Sequence, residues 1–244
     1  VTAGDPNLAL TKELVMAMVE GGAGLIEFGI PFSDPVAEGE VIQRADLRAL
    51  AAGTTTDKIF DLVSEVRKET QVPLVFLTYA NPIYAYGAEE FFTRCEASGV
   101  DGVIIPDIPY EEREEMRPYS EPHHVALVPL IAPTSKDRIQ KIAKDAQGYV
   151  YVVSSLGVTG ARSNITTDID GIVTEVRKAT ELPVAVGFGI ATPEQAYKMA
   201  KASDGAIVGS AIEKIVEKYG NDSPKYVCEY VKSMADAVAL AATA

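Results

Sequence analysis

LIEFGIPFSDPVAEG, residues 25–39, places one carboxylate, Glu27, among apolar neighbours in a short strand and then runs into a long loop carrying Asp34 and Glu38. A charge inside an apolar strand costs several kcal/mol unless it is paired, neutralised or used. The loop from Gly29 to Gly39 exceeds the two to six residues usual between a strand and the following helix. A short, continuously apolar strand, a loop and a helix form the unit from which the rest of the chain can be read.

The unit recurs in both directions. Upstream, a helix starting at Asp5-Pro6 carries Leu8, Leu14, Val15 and Met18 on one face and ends at Gly21-Gly22. Before it, Val1-Thr2 reads as the last residues of a strand entering a turn, so the first strand is expected to be cut short at the N-terminus. Downstream, strands are expected at 74–77, 102–105, 125–130, 149–153, 184–186 and 205–208, each followed by a helical pattern. Residues 110–117 are acidic and read as a helix. Thr192-Pro193-Glu194-Gln195 is a strong helix start, with a cap, a proline in the first turn and a capping-box glutamine.

Strands that read as apolar runs, not as alternations, belong to a parallel sheet covered on both faces. Eight such βα units without a switch of pattern midway favour a closed (β/α)8 TIM barrel over an open doubly wound sheet, and about 250 residues is the usual length of one. We read residues 1–244 as one α/β domain of this kind.

Barrel active sites lie at the carboxyl ends of the strands. Glu27, Tyr79, Asn81, Asp107 and Tyr151 qualify by position. Glu27 is either an acid/base group or a strand-end carboxylate satisfied by its neighbours. Tyr151 shares a strand face with Tyr149 and is either core or a substrate contact. Gly187-Phe188-Gly189 follows the seventh strand, and Gly209-Ser210 follows the eighth and opens a helix. Glycines let the backbone approach an anion, and free N–H groups at a helix start attract one, so Gly187, Gly189, Gly209 and Ser210 describe a phosphate pocket.

The net charge of −13 disfavours nucleic acid and anionic membranes as partners. Cys95 and Cys228 lack metal-ligand or redox spacing, so no metal is expected and both read as small hydrophobes in a reducing compartment. No signal peptide or stretch of membrane-spanning length is visible, which makes the cytoplasm the expected location.

The run EFGIPFSDPVAEG followed by VIQRADLRAL resembles the signature region of the tryptophan synthase alpha chain family. The likeness continues through TAGDP, TYANPIY, GVDGVIIPDIP, GYVYVVSSLGVTGAR, VAVGFGI and GSAI. It implies a barrel lyase that cleaves indole-3-glycerol phosphate to indole and glyceraldehyde 3-phosphate without a cofactor of its own. By that resemblance Glu27 is the main acid/base with Tyr151 beside it, and Glu38 is the second carboxylate, facing the indole N–H. Thr159 belongs to a lid, Gly160 is a phosphate contact, and Phe188, Leu77 and Ile104 are apolar walls.

The resemblance also implies a pyridoxal-phosphate-dependent beta chain as partner in an alpha2beta2 assembly, met by the loops at 31–35, 79–84 and 107–109. The family pattern ADG is Ala37-Glu38-Gly39 here, which lengthens the second carboxylate's arm by about 1.5 Å. Glu40-Val41 stands in place of the usual proline and threonine. Two other readings are a catalytically weak subunit that activates a beta chain and another phosphate-binding barrel lyase or isomerase.

Overall fold

The computed structural model describes residues 1–154 and 167–243. Helix α1, Leu8–Glu20, is capped by Asn7, whose side chain accepts the Leu10 N–H at 2.9 Å. The expected start at Asp5 is therefore corrected. Both oxygens of the fully buried Asp5 are taken by the Arg48 guanidinium, at 2.7 Å each, so its side chain is committed elsewhere.

Strand β1, Ile26–Gly29, is followed by α2, Glu40–Ala51, and by α3, Thr56–Arg67, which buries Ile59, Phe60, Leu62, Val63 and Val66. After β2, Leu74–Leu77, comes a helix the sequence reading lacks, α4, Ala80–Tyr86. Pro82 falls in the first helical turn, where its missing N–H costs nothing. The Ala80 N–H is accepted by Asp107, at 3.0 and 3.2 Å to its two oxygens, across 27 residues of sequence. Helix α5, Ala88–Ser98, ends at Gly99 in the left-handed region, with φ of 83°.

Beyond β3, Gly102–Ile104, the acidic stretch forms a 3-10 turn, Tyr110–Glu115, and a single-turn α6, Arg117–Ser120. With four glutamates between 111 and 115 the stretch offers no apolar face to bury, and an extended α-helix does not form. The fifth strand is interrupted. Ala126–Leu127, β4, and Leu130–Ile131, β5, flank Pro129, which has no N–H to give to a ladder. Val128 still donates to the Val103 carbonyl at 3.0 Å, and the Pro129 carbonyl accepts from Tyr151 at 3.1 Å, so the two pieces occupy one strand position.

The remainder comprises α7, Ile139–Lys144; β6, Val150–Val153; α8, Ile169–Arg177; β7, Val184–Gly187; α9, Pro193–Ala202; β8, Gly205–Ala206; α10, Ser210–Tyr219; and α11, Ser223–Ala242. Thr192 and Gln195 form the capping box expected at α9.

All pairings are parallel, in the orders β1-β2-β3-β4 and β5-β6-β7-β8. Thr2 bridges Gly29 in parallel, which seats Val1-Thr2 beside β1 as the first of eight strand positions and makes the molecule a (β/α)8 barrel. Side-chain alternation then sorts the core. Ile26, Phe28, Leu74, Phe76, Val150, Val152, Val184 and Val186 point outward to the helices. Val75, Leu77, Ile104, Val128, Tyr149, Tyr151 and Val153 fill the barrel. Glu27, between the outward Ile26 and Phe28, points into the lumen with them.

Candidate active site

A cavity of about 110 Å3 opens at the carboxyl end of the strands, the end at which Glu38, Phe188 and Ser210 meet. Its lining includes Glu27, Glu38, Leu77, Tyr151, Phe188, Gly189, Gly209 and Ser210. These residues come from five separate stretches of chain, brought together because each follows or ends a barrel strand.

Glu27 sits on β1 in register with Val75, and its Oε2 is buried without a hydrogen-bond partner among the described residues. Burial raises its carboxyl above the ordinary range. Glu38 is 5% exposed, and its Oε2 is likewise buried without a partner among the described residues. Burial pushes it up to about 7, with Asp107 and Glu27 adding like charge, while the backbone N–H groups of Glu38 and Ala37 pull the other way. The loop holding Glu38 is pinned at two points. Ala37 N–H donates to Tyr79 Oη at 2.9 Å, and the Gln43 amide donates to the Glu38 carbonyl at 2.7 Å.

Tyr151 is 5% exposed and meets Phe188 edge to face, with centroids 6.3 Å apart. Burial, with Glu27 nearby, raises its hydroxyl well above the ordinary phenol value, so it is a neutral O–H. A Cβ on Gly187 would lie 2.2 Å from Tyr151 Oη, so Gly187 is what lets the tyrosine stand where it does. Phe188 and Gly189 follow with φ of 77° and 85°. The left-handed conformation costs phenylalanine of order 1 kcal/mol or more. Ser154 Oγ donates to the Phe188 carbonyl and helps hold the turn.

Gly209 and Ser210, which line the cavity, open α10; among the described residues no side chain caps this helix start, and the Gly209 carbonyl accepts from Ile212 at 2.9 Å. Among the described residues no cluster of three or more His, Cys, Asp and Glu is arranged to hold a metal ion.

Two sequence candidates lie off the cavity wall. Ile104 is fully buried among Val75, Tyr149 and Tyr151, in the barrel filling. Gly187 is set behind the Tyr151 hydroxyl. Thr159 and Gly160 fall outside the described residues.

The family profile of the tryptophan synthase alpha chain matches residues 1–242. The chain belongs to the tryptophan synthase alpha chain family. The alpha chain of Lacticaseibacillus casei is 48% identical over 238 residues, spanning 98% of this chain and 90% of the relative. That of Lactiplantibacillus plantarum is 53% identical over 217 residues, covering 88% and 82% respectively. A solved structure from the hyperthermophile Pyrococcus furiosus, described as the tryptophan synthase a2b2 complex, superposes with a TM-score of 0.88 at 36% identity, covering 97% of this chain and 96% of that one.

Against that family background, the cavity residues not singled out from the sequence include Thr2, Ile42, Ile207 and Glu213. Only Glu213 carried a signal. It is an acid set on the buried face of α10 between Ile212 and Val216, and a charge at an apolar position is the same anomaly that singled out Glu27.

Proposed function

We propose that this chain performs the alpha reaction of tryptophan synthase, cleaving indole-3-glycerol phosphate, with Glu27 and Glu38 as its two working carboxyls. The observation that carries the reading is one cavity lined both by Glu27 and Glu38, each with a buried carboxyl oxygen that has no partner among the described residues, and by the Gly209-Ser210 helix start. Glu27, its carboxyl raised by burial, delivers a proton to indole C3, which makes the ring an indolenine and an electron sink. The resulting carboxylate takes the proton of the glycerol hydroxyl as the C–C bond breaks, and the electron pair of that bond restores the aromatic ring. One proton enters and one leaves, so Glu27 is returned as it began.

Glu38 accepts the indole N–H and offsets the positive charge that develops there. Tyr151 flanks Glu27, while Phe188 and Leu77 wall the ring. Gly189, Gly209 and Ser210 receive the phosphate, with Gly160 a further contact beside Thr159, while Gly187 makes room for Tyr151. The chain acts as one domain in the cytoplasm. It needs no cofactor of its own, and it passes indole to a pyridoxal-phosphate-dependent beta chain in an alpha2beta2 assembly, docked through the loops at 31–35 and 107–109 and through residues 79–84, which open helix α4.

Indole release measured with and without a beta chain tests the reading. Glu27→Gln should lower kcat by about 10²- to 10⁴-fold, the range of a lost general acid/base. A wild-type chain that releases no indole even with a beta chain present would leave the weak, activating subunit as the better account.

A further inference from the structure

Glu213 lines the cavity beside Gly209 and Ser210 but has no part in the chemistry above. It is 1% exposed and sits in the first turn of α10. Its Oε1 accepts the Thr2 N–H at 2.5 Å, while no N–H or hydroxyl among the described residues donates to its Oε2. Its side chain is in hydrogen-bond contact with the carboxyl of Asp5. Two carboxyl groups can bond to each other only if one keeps its proton. Arg48 donates to both Asp5 oxygens, so the shared proton falls to Glu213.

We propose that Glu213 is a positioning residue for the phosphate end of the cavity: as a carboxylic acid it accepts from Thr2, donates to Asp5, and thereby fixes the Gly209-Ser210 turn against the barrel. This inference rests on the phosphate reading of that turn. The surroundings favour the neutral acid. Asp5 faces it from the segment before α1 and Asp46 from α2, Glu38 lines the same cavity, and Glu217 lies one turn on in its own helix, paired with Arg48. The cations are the Val1 amino group and Arg48, and Arg48 is engaged by Asp5 and Glu217. Burial first, and then Asp5, push the Glu213 carboxyl up to about 7. Once it ionises, the bond to Asp5 becomes a repulsion between two buried anions, and the turn loses its anchor.

Glutamine copies the protonated acid, since its carbonyl accepts from Thr2 and its NH2 donates to Asp5, but it does not titrate. The test is the KM for indole-3-glycerol phosphate in the complex with a beta chain, at about pH 6 and about pH 8.5, for wild type, Glu213→Gln and Glu213→Ala. The wild-type KM should rise about tenfold more than that of Glu213→Gln over this range, because substrate ionisation is common to both. Glu213→Ala should show a raised KM at both pH values, and thermal melts identify any variant whose loss is merely unfolding. Parallel pH dependence of KM in wild type and Glu213→Gln overturns the inference. Inorganic phosphate, added as competitor, separates the two layers. Competition with equal pH dependence in both proteins removes only the role of Glu213, whereas no competition at either pH removes the phosphate reading and this inference with it.

Discussion

Gly187 shows how one residue type can be anticipated for one reason and found to serve another. Its place after the seventh strand suggested close approach to an anion. The structure shows instead that a tyrosine hydroxyl occupies the space of the absent side chain. Gly187→Ala should therefore displace Tyr151 toward the cavity, costing about 1–3 kcal/mol of overpacking and lowering kcat for indole release. Urea denaturation and turnover on the same preparation check both effects. Glu27 was legible because a lone acid in an apolar strand has few bland explanations. The placement of Ile104 was not, since an apolar side chain at a strand end looks the same whether it faces substrate or fills the barrel.

Among elements, those punctuated by strong local chemistry were readable and those held by distant partners were not. The α9 capping box lies wholly within four residues, and it formed as read. Helix α4 depends on Asp107, which supplies its acceptor from another strand's end, and no local pattern encodes that bond. The interrupted fifth strand had its signal in Pro129, but the apolar run through it masked the break. Strand β2 is the best-buttressed piece of the sheet. Phe76 packs with Phe28, Phe60 and Phe91 at centroid distances of 6.3, 5.6 and 6.3 Å. Phe76→Ala should cost about 3–5 kcal/mol, read as a lowered urea midpoint.

Over the whole molecule, an excess of 13 negative charges surrounds a core that also encloses Glu38, Asp46 and Glu213. The barrel topology was legible because apolar strand runs repeat. The convergence of these acids was not, since they meet only after eight strands have closed. Burial first, and then Glu38, Glu213 and Asp5, push Asp46 up to about 8 from its usual 3.8. Between those values the folded chain keeps a proton that the unfolded chain has released. The stability this group contributes is thus complete below about pH 4 and is lost as pH rises through about 8. Asp46→Asn removes that loss, so it should be the more stable protein at about pH 8 by on the order of a few kcal/mol, with the gap shrinking toward about pH 4. Parallel denaturation curves for both proteins across that range are the measurement. Phe188 points to a different tension within the molecule. Its left-handed backbone would suit glycine or asparagine better, yet either would take the aromatic face away from Tyr151. Selection for a sturdier fold alone would erase this phenylalanine, so its presence marks a position where robustness has been given up to keep a wall in the cavity.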